Sequence, residues 1–183
     1  MTSNMLSTGP VTSQSTEQVR SFAVKHANRV YRVYARRDDL FFIVVAEGLS
    51  ANPETLTVHL GLIGWLIGAS MKKRAKKKQA IAAERMDQTD PEQLLTEHKR
   101  NFRLHTSEIT EASIEPRPAI TFDGHQVGHW KALCRDGKKL KFQFEHNDDM
   151  TAALDSLAKF FNGSLQVNVE WDERKKKFSK KKA

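Results

Sequence analysis

Cysteine is nearly absent from this chain: Cys134 is the one thiol in 183 residues. No intrachain disulfide and no four-cysteine metal cage can form, and a reducing, cytosolic compartment fits best. The opening stretch, MTSNMLSTGPVTSQSTEQ, lacks the basic start and apolar core of a secretory signal, so export is not expected. Long apolar runs are missing too. The longest, Leu60 to Ser70 (LGLIGWLIGAS), would reach only about 16 Å as a helix, roughly half of a bilayer's hydrocarbon core, which disfavours a membrane crossing but leaves shallow insertion open. Nucleotide-cradling glycine loops are also missing, because Gly61, Gly64 and Gly68 are followed by bulky aliphatic residues and lack a Lys-Ser/Thr ending.

What is present is a skewed distribution of charge. The chain carries 30 Lys and Arg against 22 Asp and Glu, a formal balance of +8. Two patches concentrate thirteen of these cations: Lys72, Lys73, Arg74, Lys76, Lys77 and Lys78, and then Arg174, Lys175, Lys176, Lys177, Lys180, Lys181 and Lys182. Without them the remaining body is mildly acidic. The first patch follows directly on the apolar run that contains Trp65. Apolar burial and cationic attraction both act on an anionic membrane, and six cations near such a surface supply at most roughly 6 kcal/mol. Lysine acts as a point charge where arginine offers a planar fork, so sequence-specific nucleic-acid reading is not expected. Non-specific phosphate binding stays open.

On a helix, Gly61, Gly64 and Gly68 share one narrow stripe and Leu62, Ile63, Leu66 and Ile67 lie opposite, leaving no polar face. Such a helix must be buried against the protein's own sheet, in a membrane, or against a second copy through the glycines.

Period-two patterns predict most of the remaining elements. Arg29 to Arg36 and Leu40 to Ala46 read as a hairpin turning at Arg37, Asp38 and Asp39, with a third short strand at Thr55 to His59. A helical period then runs from Leu60 to Arg100. Asp90, Pro91 and Gln93 mark a helix start, with Asp90 as cap and Gln93 completing a capping box. Strand character returns at Asn101 to His105, Glu108 to Glu115 and Ala119 to Phe122, and Asp123-Gly124 marks a turn. Trp130 to Cys134 and Lys138 to Glu145 form a hairpin whose loop, Arg135, Asp136 and Gly137, pairs even positions with even. Trp130, Ala132 and Cys134 then share an apolar face with Leu140, Phe142 and Phe144, and Lys139, Lys141 and Gln143 face water. A helix capped by Asn147 presents Met150, Ala153, Leu154, Leu157 and Phe161 to the sheet and stops at Asn162-Gly163. One half-buried strand, Leu165 to Trp171, follows. The ending RKKKFSKKKA is expected to be too charged to pack.

The fold class expected is α+β: a strongly bent antiparallel sheet or partial barrel capped by a C-terminal amphipathic helix. Residues 1–20 form a disordered tail, 21–172 the domain with a helical insertion at 60–100, and 173–183 a basic tail. This arrangement resembles the pleckstrin-homology-like superfold. The stretch KRNFRLHTSEITEASIEP, Lys99 to Pro116, resembles a pattern of bacterial pleckstrin-homology-like domains, in which Asn-Phe and a short strand lead through Ser-Glu-Ile to the next strand. An apolar segment with glycines spaced like Gly61, Gly64 and Gly68 often stands upstream there. The helical insertion and the strand after the closing helix depart from the family pattern. The resemblance implies a non-enzymatic lipid- or protein-binding module and transfers no ligand-contacting residue.

Other candidate chemistry is weaker. His125, His129 and Cys134 match no zinc spacing, so no metal or other cofactor is expected. Cys134, placed on the apolar face, reads as an inert core residue. The expected function is a non-catalytic interaction module at the inner face of the membrane, contacting anionic lipid through Trp65 and Lys72 to Lys78, or binding a protein partner. Two competitors remain: a homo-oligomeric scaffold that uses the glycine helix as its interface, and a non-specific nucleic-acid binder that uses the lysine clusters.

Overall fold

A computed structural model describes residues 21–47, 85–118 and 126–181. The fold is α+β, and its centre is an eight-stranded sheet in the order β4-β3-β2-β1-β7-β6-β5-β8. Strands β1 (Ser21–His26), β2 (Arg29–Arg36), β3 (Asp39–Glu47) and β4 (Phe102–His105) form one antiparallel meander. Strands β5 (Ile109–Pro116), β6 (Gly128–Cys134) and β7 (Lys139–Phe144) form a second. The meanders meet where β1 pairs with β7 at Lys25 and Gln143. Strand β8 (Leu165–Val167) runs parallel to β5, and β4 and β8 are the two edges, so the sheet stays open.

The sheet is bent hard, and the aromatic rings show it. Strands β3 and β7 are three places apart, which in a flat sheet would separate them by about 14 Å. Yet Phe42 on β3 stacks on Phe142 on β7 with centroids 4.9 Å apart. Phe102 of β4 stacks on Phe42 at 4.4 Å, and Trp130 of β6 stacks on Phe142 at 4.9 Å and lies 6.0 Å from Phe42. Four stacked rings therefore tie the two meanders across the concave face. A short helix α1 (Pro91–Glu97) lies on the first meander, and helix α2 (Asn147–Phe160) closes the concave core with Met150, Ala153, Leu157, Phe160 and Phe161. Leu154 is only half-buried.

The β6–β7 hairpin has the expected register, with Trp130 opposite Phe142, Ala132 opposite Leu140, and Gly137 at φ +81°. Asp90 caps α1 by accepting from the Glu92 N–H, and Pro91 stands at its start. Asn162 and Gly163 take left-handed conformations after α2.

Several expectations need correction. Strand β1 was not expected; it joins β2 through a two-residue turn in which Ala27 adopts φ +53°. The N-cap of α2 is His146 rather than Asn147, and it makes no side-chain cap bond. Instead Asp149, in the first turn, accepts the Ala23 N–H at 2.7 Å and fastens the helix to β1 where β7 no longer pairs with it. The single last strand is broken at Asn168: its N–H bonds to the Ile114 carbonyl and its side chain to Glu115. Beyond the break, β9 (Val169–Asp172) pairs with β10 (Lys177–Lys180) instead of continuing beside β5. The basic ending is therefore packed, because Phe178 gives it an apolar anchor buried in the main core. The strands expected at Thr55 to His59 and Ala119 to Phe122, the turn at Asp123-Gly124 and the helix over the glycines lie outside the described residues.

The family-like stretch serves architecture. Asn101 accepts the Val44 N–H and donates to the Leu94 carbonyl, joining α1 to β3. Phe102 ends the ring stack. Ser107 and Glu108 form a 3-10 turn: Glu108 accepts the His105 N–H, and the Ser107 carbonyl accepts from the Arg135 guanidinium. That turn is the corner where the chain passes from one meander to the other.

Candidate anion-binding surface

None of the sequence-predicted contact residues falls within the described residues: Trp65, Lys72, Lys73, Arg74, Lys76, Lys77 and Lys78 lie outside them, as do Gly61, Gly64, Gly68 and His125. The described surface offers a different set of cations, on the convex face of β6 and β7.

Alternation along these strands sends the apolar even positions inward and the polar odd positions outward. The same register that pairs Trp130 with Phe142 puts Lys131 directly opposite Lys141, and Lys139 follows two residues away on the same face. All three are exposed. Like charges directly opposite on a sheet are destabilising. Among the described residues none of the three has a carboxylate partner.

Next to this pair lies a row of four residues across four strands: Lys25, Gln143, His129 and Glu115. Lys25 is 5% exposed and its ammonium reaches Glu145 Oε1 at 3.0 Å. His129 is equally buried, and its Nδ1 has no hydrogen-bond partner. Burial first, then the positive charges of Lys141 and Lys131, hold the His129 pKa at about 4, against a weaker opposing pull from Glu115. The imidazole is thus neutral at pH 7. Most of its shift reports burial, and the lysines add to it.

Cys134 is buried on the inner face, opposite His129's side of β6, and burial pushes its thiol upward, so the nucleophilic thiolate is disfavoured. Among the described residues no group of three His, Cys, Asp or Glu could hold a metal ion, and no helix is long and apolar enough to cross a membrane. The arrangement can bind negative charge electrostatically on a convex sheet face.

Sequence reasoning placed Lys139 and Lys141 in water but missed Lys131 as their partner. The signal was present, since the loop that aligns even positions also aligns 131 with 141. Comparison of the chain with protein-family models, curated proteins and solved structures finds no match in any of the three.

Proposed function

We propose that this chain is a non-catalytic interaction module of the pleckstrin-homology-like kind that binds an anionic membrane surface at the cytoplasmic face. The observation that carries the reading is the opposed lysine pair, Lys131 and Lys141, held on a rigid sheet beside Lys139, with none of the three in an ion pair among the described residues. A fold that spends stability on like charges is explained if a ligand supplies the missing negative charge. The two meanders bent around one core and closed by α2 support the pleckstrin-homology-like part of the reading. The apolar run with Trp65 and the cluster Lys72 to Lys78 add a second contact in this reading, on sequence grounds.

Co-sedimentation with vesicles of phosphatidylserine and phosphatidylcholine, beside vesicles of phosphatidylcholine alone, tests it. Binding to the anionic vesicles that weakens as salt rises is expected, because exposed charges are screened. Equal behaviour towards both vesicle types at low salt would overturn it. So would retention by single-stranded oligonucleotides with no vesicle binding, which would turn the assignment to nucleic acid.

A further inference from the structure

The segment after Asn168 is a built hairpin, and its composition is unusual for this surface. Val169 and Phe178 face inward and are buried, and Trp171 pairs with Phe178 across the hairpin at a centroid distance of 5.1 Å. Trp171 nonetheless stays 39% exposed, the one large hydrophobic side chain among the described residues to do so. Directly beyond it the chain turns through Glu173, Arg174, Lys175 and Lys176.

The turn is fixed rather than floppy. Asp172 accepts the Arg174 and Lys175 N–H groups, each at 3.1 Å, and the Asn147 side chain donates to the Lys176 carbonyl at 3.4 Å. Lys175 and Lys176 are taken up locally by Asp172 and Glu173. Arg174, Lys177, Lys180 and Lys181 are exposed and form no ion pair among the described residues. From 169 to 181 there are six cations and three carboxylates, so the hairpin is net positive around an exposed indole.

We infer that the β9–β10 hairpin is an interfacial anchor for anionic lipid, with Trp171 settling at headgroup depth while Arg174, Lys177, Lys180 and Lys181 attract the negative surface. An indole has an apolar body and a polar N–H, which suits the membrane–water boundary. Mostly lysine cations suit a diffuse negative field. A single aromatic gives no succession of stacking platforms, which argues against single-stranded nucleic acid as the occupant. The inference rests on the reading of an anionic membrane as partner and not on the lysine face of β6 and β7.

The test uses the full chain carrying Trp65→Phe, so that any vesicle-dependent emission comes from Trp171; Trp130 is wholly buried. Vesicles of equal parts phosphatidylserine and phosphatidylcholine, with and without brominated acyl chains, should shift the emission to the blue and quench it. Trp171→Ala should weaken partitioning several-fold in a manner that persists at high salt, since apolar burial is not screened. Changing Arg174, Lys177, Lys180 and Lys181 to glutamine should lower partitioning at low salt by at least about tenfold, and the difference should fade as salt rises. The fluorescence result needs no hairpin variant, so it holds even if one fails to fold. Vesicle binding with unchanged Trp171 emission would overturn the hairpin and leave the membrane reading standing. No binding of the parent chain to these vesicles would overturn both, and quenching by a single-stranded oligonucleotide instead would give the hairpin to nucleic acid.

Discussion

The two meanders share one concave core but treat their convex faces in opposite ways. In the first, four consecutive residues of β3, Leu40 to Ile43, are all buried. Both faces are therefore covered, as consecutive apolar positions require. Tyr34, Phe41 and Ile43 pack under Leu94 of α1, and Met86 and Leu95 fill the margin. Asp87 clips this cover in place by accepting from Arg32 at 2.8 Å and from the Tyr34 hydroxyl at 2.9 Å, while Arg36 pairs with Asp90. The second meander is buried on its concave side, and its convex face carries Lys131, Lys139 and Lys141 beside the buried His129 and the half-buried Glu115. Burial on both sides makes a rigid platform; burial on one side leaves a face free to meet a partner. Lys131, Lys139 and Lys141 thus stay exposed on β6 and β7, where α1 covers the corresponding face of the first meander.

The comparison can be broken from the covered side first. Leu94→Ala should cost about 2 to 5 kcal/mol, because it opens a cavity under α1; denaturant unfolding would measure it, and a cost below about 1 kcal/mol would mean the cover is superficial. The next effect comes from pH. The pKa of His129 is about 4 in the folded chain, below the usual value near 6.5. The unfolded chain then binds more protons between those values, so stability is fully present above about pH 6.5 and falls as pH drops towards 4. The loss attributable to His129 should be on the order of 2 to 3 kcal/mol, and His129→Gln should flatten that limb of the profile. An unchanged limb would show that the convex face does not bury this ring.

A similar or smaller loss, about 1 to 3 kcal/mol, is expected for Gly128→Ala at the start of β6, where a Cβ would stand 2.8 Å from the Met150 side chain and 2.9 Å from the Glu115 carbonyl. Thermal unfolding would detect it. Asp87→Asn, which weakens the clip, should cost about 1 to 2 kcal/mol and lower hydrogen-exchange protection in α1 more than in α2.

Local periodicity made much of this legible, and long-range packing accounts for what escaped. The β6–β7 register, the cap at Asp90 and the stop at Asn162-Gly163 are set by neighbours in sequence, and so they could be read. Strand β1 was hidden because its turn uses Ala27 in a left-handed conformation that usually calls for glycine or asparagine. The break at Asn168 depends on a carbonyl and a carboxylate of β5, more than fifty residues away, which no local pattern reveals. Charge misled at the end of the chain, where Phe178 outweighs the lysines around it. On the convex face of β7, Lys139 and Lys141 were visible as exposed positions. The cost of setting Lys141 against Lys131 follows from the hairpin register, whereas the burial of His129 beside them emerges only once β5 and β1 are placed around it.

If Lys131 and Lys141 trade stability for binding, one double variant measures both sides. Replacing the two by glutamine should leave the chain as stable or raise its stability by up to about 1 kcal/mol, because a like-charge pair is relieved. The same variant should bind phosphatidylserine-containing vesicles several-fold more weakly at low salt. Reduced stability with unchanged vesicle binding would contradict the account.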